Sequence, residues 1–344
     1  MRVAIHLLLL ATTSSALKVA VTGPTGKLGR AAVRQLVTNG HEARILLRHN
    51  VPTTSEARSD PAQMPPLDAS STAVAAYLVG LQGVEAVKGD INDEASLEQL
   101  LTGCSAVLSV HGARRTRKLS DLWTDPTLDP AHAKNVNYEG IKKLVAAMRK
   151  TNCKRIVRIT GKGETPWSLF SILLNALGSM AKAWNNEGEH VLREAADIDY
   201  TIIRPGVMST SDEDLCEPDK CLTANSLALA DDGGDLKVTP IPHGAIANLC
   251  VEVLKFPNTA RSTLTAMQSE APGKGADSWA PLLAEVKPDK RVFRTDLLKE
   301  HFLAVRVGGT VLALILAAIA LGFATALKAV AVALIGAGRS LFGK

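Results

Sequence analysis

Cysteine and aromatic residues are scarce in this sequence, and its excess of positive charge is small. The five cysteines form neither a zinc-binding pattern nor a dense disulfide framework, so the residues predict no metal site. A net charge of +5 over 344 residues, with the basic residues spread along the chain, argues against nucleic acid as a partner. A hydrophobic share of 46% excludes disorder for most of the chain and is typical of an α/β protein.

Two of the cysteines stand apart from the others. Cys216 and Cys221 enclose the short polar segment CEPDKC, and they would form a disulfide in an oxidising compartment. Two unpaired thiols fit this segment equally well. Cys104, Cys153 and Cys250 are expected to fill space as free thiols.

Residues 1–16, MRVAIHLLLLATTSSA, have the composition of a secretory signal peptide. A positive Arg2 precedes an apolar stretch, and the small side chains of Ser14 and Ala16 favour cleavage after Ala16. An extra strand or a buried helix is the alternative. A signal peptide predicts the ER or the secretory pathway, but SSAL is also similar to the cleavage region of leaders that route proteins through the ER into plastids of secondary origin.

A long uncharged segment lies near the carboxyl end. Residues 307–327, VGGTVLALILAAIALGFATAL, are bounded by Arg306 and Lys328. About 20 apolar residues are needed to cross a bilayer, so the segment predicts a single transmembrane helix, with a buried core helix as the alternative. Residues 328–344 form a short basic tail, in which AVAVALIGAG is too short for a second crossing and is expected to lie at the membrane interface. Basic residues flank both ends of the span, so the positive-inside rule does not decide its orientation.

Segments typical of strands alternate with segments typical of helices in residues 17–300. This order predicts an α/β fold, a doubly wound parallel sheet with helices on both faces. The predicted strands are residues 18–22, 42–48, 84–90, 105–110, 155–160, 199–206 and 262–268. The predicted helices are residues 27–40, 72–81, 93–103, capped by Asn92 or Asp93, 133–149, 179–196 and 241–256. An insert from His49 to about Ser71 has too many helix and strand breakers to be regular.

The segment VTGPTGKLGR, residues 21–30, places three glycines between the first strand and the first helix. The missing side chains allow the backbone to approach a pyrophosphate, and the start of the helix offers free N–H donors. This order predicts a dinucleotide site, although a tight turn needed only for packing is the alternative. The predicted cofactor-binding residues of the loop are Gly23, Thr25, Gly26, Lys27, Leu28 and Gly29.

Arg48 lies at the end of the second strand, roughly 20 residues after the glycine loop, with no acidic residue beside it. NAD-selective sites place a carboxylate there to bind the ribose hydroxyls, whereas NADP-selective sites place a cation. The sequence therefore favours NADP(H) as cofactor. NAD is the alternative if Arg48 is only a solvated charge.

The chain resembles the short-chain dehydrogenase/reductase superfamily, specifically its atypical, NmrA-like branch. The matching segments include VAVTGPTGKLGR, VKGDINDEASLEQLLTGCSAVLSV, NVNYEGIKKLVAAM, KRIVRIT and LREAADIDYTIIRPGVM, which span residues 18 to about 270. The resemblance implies a Rossmann fold that binds NAD(P), with substrate-side elements at about 161–270. It also implies that Asp90 and Ile91 flank the adenine and that Ser109 lines the ribose and nicotinamide side.

The superfamily's usual mechanism uses a Tyr as acid and a Lys four residues later, on the helix after the fifth strand. Tyr138 and Lys142 have this spacing, but they lie on the helix before that strand, so we do not expect Tyr138 to face the nicotinamide. The other two tyrosines, Tyr77 and Tyr200, do not fall on the later helix either. None of the three tyrosines is therefore expected to act as the superfamily's usual acid.

Alignment with the family's helix places Lys182 at the position of the Tyr and Asn186 at that of the Lys, with Thr160 near the position of a substrate-binding Ser. The chain resembles atypical members that use a lysine as acid or base, and this resemblance makes Lys182 a candidate acid and Thr160 its companion. The alternative is that Lys182 is a surface residue. His111, after the fourth strand, is a second candidate acid, or else a loop histidine.

Other charged residues near these positions are expected to be solvated. Glu187 and Glu189 are most simply exposed helix charges. The cluster Arg114, Arg115, Arg117 and Lys118 would attract an anionic substrate or lipid head group, or would form a solvated basic loop.

Two functions fit these observations. The first is a membrane-anchored, NADPH-dependent oxidoreductase acting on a small carbonyl or quinone-like apolar substrate. The second is a non-catalytic NADP-binding scaffold or redox-sensing assembly factor, which resembles atypical members that serve plastid import or photosystem assembly and would bind a membrane protein complex. The missing Tyr and Lys favour the second, whereas the fold's usual role favours the first.

Overall fold

The computed structural model describes residues 16–48, 64–113, 129–208, 224–269 and 278–342. Its strands are β1 (Lys18–Thr22), β2 (Glu42–Leu47), β3 (Val84–Lys88), β4 (Ala106–Ser109), β5 (Arg155–Ile159), β6 (Asp199–Pro205), β7 (Val207–Met208), β8 (Leu227–Ala230), β9 (Pro240–Ile241) and β10 (Ser262–Gln268). Its helices are α1 (Lys27–Thr38), α2 (Ser71–Val79), α3 (Glu94–Leu101), α4 (Gly140–Lys150), α5 (Leu169–Leu177), α6 (Ala181–Glu194), α7 (His243–Glu252), α8 (Trp279–Leu283) and α9 (Leu297–Phe342).

Eight of these strands form one sheet in the order β3-β2-β1-β4-β5-β6-β10-β8. All neighbouring pairs are parallel except β8 and β10, and Val21 of β1 pairs with Ile45 on one side and Leu108 on the other. The order reverses between β1 and β4, and open α/β sheets bind ligands beyond the carboxyl ends of the strands at such a point. The predicted doubly wound parallel sheet is confirmed.

Helices cover both faces of the sheet. On one face, Leu36 of α1 and Leu249 of α7 are fully buried together with Val21; on the other, Leu97 of α3 and Leu144 of α4 are fully buried. Each such side chain contributes roughly 1.5–3 kcal/mol when it leaves water. These two aliphatic layers hold the strand ends, and hence the site, in place.

Most predicted elements begin and end within a few residues of the prediction. Asp93 caps α3, since its carboxylate accepts from the backbone N–H groups of Ala95 and Ser96, both at 3.3 Å. The helix predicted at 133–149 begins as a π-helical segment, Lys134–Glu139, before continuing as α4. A bulge of this kind often lies at a functional site.

The structure corrects the prediction for the segment after β5. The sequence predicts no helix between β5 and residue 179, but this segment contains α5, whose start is capped by Ser168 accepting from Ser171 N at 3.2 Å. The edge strand β8 and the short helix α8 were also not predicted. Neither β8 nor α8 shows a clear period, because both are short.

The predicted span at residues 307–327 lies inside the much longer helix α9. Its Leu297–Phe323 portion is long and apolar enough to cross a bilayer, and side chains such as Leu314 (66% exposed) and Phe323 (68%) have little protein around them. AVAVALIGAG continues the same helix. The predicted leader, apart from Ala16, the pair Cys216 and Cys221, and the basic cluster at 114–118 lie outside the described residues.

Candidate functional site

The glycine loop packs tightly against the end of β4. Gly23 has φ +78°, and a Cβ on it would lie 2.6 Å from the Cα of His111. A Cβ on Gly29 would lie 2.0 Å from the carbonyl oxygen of Gly23. Only glycine fits at these two positions, because the first needs a left-handed backbone and the second needs the helix to touch the loop.

The middle glycine has a different environment. A Cβ on Gly26 would meet only the carbonyl oxygen of Gly23, at 3.4 Å. Gly26 is the N-cap of α1 and offers no side-chain cap, and the first backbone bond of the helix runs from Arg30 N to Gly26 O at 3.0 Å. The N–H groups of Lys27 and Leu28 therefore lack intrahelical acceptors. This open, uncapped helix start fits the diphosphate of a dinucleotide.

Arg30 is buried beside the loop, and sequence reasoning missed its role. Its guanidinium donates to the carbonyl oxygens of Pro65 and Pro66, at 3.1 and 2.5 Å, and to that of Thr25 at 3.3 Å. These bonds join the end of the insert between β2 and α2 to the glycine loop. The insert thus ends beside the predicted diphosphate position.

The predicted adenosine side of the cleft consists of three strand ends. Arg48 is exposed immediately after β2. Asp90 follows β3, and its Oδ1 accepts from N and Nδ2 of Asn92, at 2.9 and 3.0 Å. Ile91 is buried against Gly140, where an added Cβ would lie 2.8 Å from Ile91 Cγ1. Ile91 is therefore part of the protein interior, while Arg48 and the half-buried Asp90 lie just after the carboxyl ends of β2 and β3.

Both ring nitrogens of His111 lie within hydrogen-bond distance of other groups of the protein. Nε2 lies 3.3 Å from both the carbonyl oxygen of Val136 and Nη1 of Arg158. Nδ1 lies 2.7 Å from the hydroxyl oxygen of Thr22. Burial, followed by the charge of Arg158, holds the pKa of His111 well below its usual value. His111 is thus neutral and hydrogen-bonded to the fold, which does not favour its predicted role as an acid.

Arg158 of β5 is a buried cation directly behind His111. It is 1% exposed, and it donates to the carbonyl oxygen of His111 at 2.9 Å, to Ser109 Oγ at 3.2 Å and to Asn185 Oδ1 at 3.0 Å. Its hydrogen-bond partners in the described part of the chain are all neutral, and burial lowers its pKa to about 10. The hydroxyl of Ser109 therefore accepts a hydrogen bond from Arg158. The guanidinium group of Arg158 is a buried positive charge near the carboxyl edge of the sheet.

Thr160, at the end of β5, donates its hydroxyl to Glu189 Oε1 over 2.5 Å. Glu189 is 0% exposed, because Arg204 binds both of its oxygens and Arg193 donates to Oε2 at 2.9 Å. Burial alone would raise the pKa of Glu189, but the two arginines and the hydrogen bonds from Arg204 and Thr160 lower it to about 2. The prediction that Glu187 and Glu189 are exposed is wrong, since Glu187 is also half-buried.

Lys182 lies in the first turn of α6, where the alignment expected the acid. Its ammonium group donates to the buried hydroxyl of Ser171 and lies 5.9 Å from the ring centroid of Phe170. Burial, followed by the positive charges of Lys162 and Arg204, lowers the pKa of Lys182 to about 8. The half-buried position does not fit the alternative of a solvated surface lysine.

Tyr138 packs against α6 at Trp184. Its ring stacks on Trp184 with centroids 5.9 Å apart, and Lys142 Nζ lies 5.0 Å from its ring centroid. Tyr138 and Trp184 belong to the small apolar cluster that joins α6 to α9. This position agrees with the expectation that Tyr138 and Lys142 are not catalytic.

The three predicted catalytic residues have separate partners. Among the described residues, no hydrogen bond joins His111, Thr160 or Lys182 to one another. Sequence reasoning missed Arg158 and Arg204, although each interrupts an aliphatic run inside a strand, where a charge must find partners. The pairing of Glu189 on α6 with Arg204 on β6 could not be predicted from the sequence.

Comparison with known proteins shows the family to which the chain belongs. A family model described as NAD(P)H-binding matches residues 23–257. A solved short-chain dehydrogenase/reductase (wide type) from Veillonella parvula, in complex with NADP, has a TM-score of 0.50 and 12% identity, covering 76% of this chain and 99% of that one. At this identity the similarity shows the fold alone.

Two curated relatives match shorter segments. Protein TIC 62, chloroplastic, from Pisum sativum is 27% identical over 188 residues, which is 55% of this chain and 32% of the relative. The isoflavone reductase homolog IRL from Zea mays is 36% identical over 107 residues, or 30% of this chain and 29% of the relative. The matched part thus spans about a third of the length of each relative.

Proposed function

This chain belongs to the NAD(P)H-binding family, and we propose that it is a membrane-anchored, NADP(H)-dependent oxidoreductase that reduces a carbonyl or quinone-like apolar substrate. The uncapped start of α1 and the open space at Gly26 support binding of the diphosphate. Arg48 supports a 2′-phosphate and hence NADP(H) over NAD(H). The apolar part of α9 supports the anchor.

The observation that carries the catalytic proposal is the environment of Lys182. An ammonium group with a pKa of about 8 is mostly protonated at neutral pH, yet it gives up its proton more readily than an ordinary lysine. Its bond to Ser171 fixes it at the start of α6, the second of the two helices between β5 and β6. A general acid is expected on this helix.

The proposed reduction adds one hydride and one proton to the substrate. The residues of the glycine loop would hold NADPH, which would supply the hydride when bound and be left as NADP⁺. The ammonium group of Lys182 donates its proton to the carbonyl oxygen and becomes a neutral amine, which water protonates again. The substrate leaves as an alcohol or hydroquinone.

The full chain in detergent tests this proposal. NADPH binding is measured by fluorescence titration, and NADPH oxidation is measured against a panel of quinones and aldehydes. We expect Lys182→Ala to retain NADPH affinity and to lose roughly 10²–10⁴-fold in turnover, the usual contribution of a general acid. Lys142→Ala is the matched control, because Lys142 has the family's spacing from a tyrosine but lies on α4; its turnover should not change. Full turnover by Lys182→Ala would refute the assignment.

A non-catalytic NADP-binding scaffold is the second candidate. It is favoured by the internal bonds of two predicted catalytic residues, since the Thr160 hydroxyl is donated to Glu189 and both ring nitrogens of His111 have partners. Such a protein would use its cofactor domain to bind a membrane protein complex. Tight NADPH binding without oxidation against the whole panel would support this function over the first.

For the location, we propose a single-pass membrane protein of the ER, with a plastid reached through the ER as the alternative. The relative from Pisum sativum is chloroplastic by name, which supports the plastid. Imaging a fluorescent fusion that keeps both ends of the chain distinguishes the two compartments.

A further inference from the structure

Helix α5 presents its apolar side chains to the outside. Leu169, Phe170 and Leu177 are each more than half exposed, and so is Trp167 just before the helix. No charged residue lies between positions 165 and 178. A helix on the surface of a water-soluble protein has the opposite arrangement, with its apolar side chains toward the core.

The polar side chains of α5 face the protein interior. Ser171 is 0% exposed and accepts the bond from Lys182. Asn175 is also 0% exposed; its Oδ1 accepts from Ala183 N at 3.1 Å, and its Nδ2 lies 3.0 Å from Nδ1 of His301. Polar groups inside and apolar groups outside make α5 an inverted amphipathic helix.

Helix α5 packs against α9 next to the apolar stretch of α9, through the buried side chain of Ile172. A Cβ on Gly308 would lie 2.7 Å from Ile172 Cδ1, so the two helices touch there. Gly308 comes just after Arg306, the exposed cation that precedes the apolar stretch. Helix α5 therefore crosses α9 at the level where the span begins.

We propose that α5 lies in the membrane interface, with Leu169, Phe170 and Leu177 among the acyl chains and Trp167 at the headgroup level. The partner is a lipid surface, because α5 packs on α9 where the exposed apolar stretch of α9 begins and because tryptophan favours that depth. This inference rests on the membrane anchor of the proposed function. It also refines the substrate class, since the Phe170 ring lies over Lys182: a lipid-soluble substrate would reach the site directly from the bilayer.

Tryptophan fluorescence of the full chain in phosphatidylcholine vesicles tests the depth of α5. Emission is recorded with and without bromine on the acyl chains, and the emission of the Trp167→Phe variant is subtracted to isolate Trp167. We expect the Trp167 emission to lose most of its intensity in the brominated vesicles and to resist quenching by iodide in the water. Iodide quenching without bromine quenching would overturn the proposal. If neither bromine nor iodide quenches Trp167 and the protein crosslinks as a dimer, a second copy of the chain covers α5. This result would also overturn the proposal.

Two variants control for local effects. The double variant Leu169→Ser with Phe170→Ser changes only exposed side chains, so it should fold, and it should shift Trp167 toward iodide-accessible emission. Val238→Ser with Val292→Ser is the matched control, because these side chains are at least as exposed (64% and 95%) and lie outside α5 and α9. It should leave the Trp167 emission unchanged.

Separate measurements on the same vesicles keep the anchor, the cofactor and α5 distinct. Release of the chain by alkaline carbonate would refute the anchor, and with it this inference. Lack of NADPH binding would refute only the cofactor proposal. A retained, NADPH-binding chain whose Trp167 is not quenched by brominated lipid would refute only the position of α5.

Discussion

His301 in the first turns of α9 donates from Nε2 to the carbonyl oxygen of Gly163, 138 positions earlier in the chain, over 2.7 Å. Asn175 of α5 lies 3.0 Å from the other ring nitrogen. Gly163 lies in the loop that follows β5 and packs against Asn186 of α6. One buried imidazole thus connects the long apolar helix with the loop and helices around Lys182.

Replacing this imidazole should destabilise the protein. His301→Ala leaves the carbonyl oxygen of Gly163 and the amide of Asn175 without their partner, and each buried unpaired group costs about 1–3 kcal/mol. The expected result is a lower midpoint of thermal unfolding in detergent. Leu303→Ala is the control, since Leu303 is 51% exposed on the same helix and its loss should cost less than about 0.5 kcal/mol. Equal losses in the two variants would show that the imidazole has no special role.

Glu189 should make stability depend on pH. Its pKa of about 2 in the folded protein lies below its ordinary value of 4.5, so its contribution is complete above pH 4.5 and is lost as the pH falls toward 2. Glu189→Gln should cost about 3–5 kcal/mol at pH 7, because it removes the buried negative charge that pairs with both Arg204 and Arg193 and leaves Glu164 as the remaining carboxylate on Arg204. Urea unfolding between pH 7 and pH 3 measures both effects. Glu194→Gln, an exposed change on the same helix, should have little effect, and a similar loss in both variants would contradict the prediction.

Two glycines of the loop should respond differently to alanine. At Gly29, the new Cβ meets the Gly23 carbonyl oxygen at 2.0 Å, so Gly29→Ala should displace the loop, lowering both thermal stability and NADPH affinity. At Gly26 the nearest atom is 3.4 Å away, so Gly26→Ala should fold normally and lose only cofactor affinity, because the methyl group occupies space left for the diphosphate. Thermal unfolding and NADPH titration of both variants measure the difference. Unchanged NADPH affinity in Gly26→Ala would argue against a diphosphate at this loop.

Arg48 should set the choice of cofactor. Hydrogen bonds to charged groups contribute about 1.5–3 kcal/mol, so Arg48→Gln should weaken NADPH binding by roughly 10–100-fold while leaving NADH binding nearly unchanged. Titrations of both cofactors against the wild type and the variant measure this. Equal affinities of the wild type for NADPH and NADH would refute the preference.

Lys182 should determine how activity depends on pH. Only the protonated amine donates a proton, so kcat/KM for NADPH-dependent reduction should fall as the pH rises through about 8. Lys182→Arg keeps the charge but does not release its proton in this range, so any remaining activity should lose this decline. A decline near pH 8 that persists in Lys182→Arg would assign the titration to another group.

Much of the fold and the glycine loop was predictable from local pattern. Apolar runs, breakers and the spacing of Gly23, Gly26 and Gly29 identify strands, helices and a phosphate loop, because each depends on neighbours in sequence. Helix α5 was not predictable in this way, since two of its three buried side chains, Ser171 and Asn175, are polar while most of its leucines are exposed.

The sequence by itself determined the doubly wound sheet, the cofactor loop, the position of Arg48 and an apolar segment long enough to cross a membrane. Only the tertiary structure decided which charged side chains are internal. Glu189 and Arg204 meet across α6 and β6, and Lys182 meets Ser171 of α5. These contacts join residues that are distant in sequence, and a buried charge is stable only where the folded chain brings its partner to it.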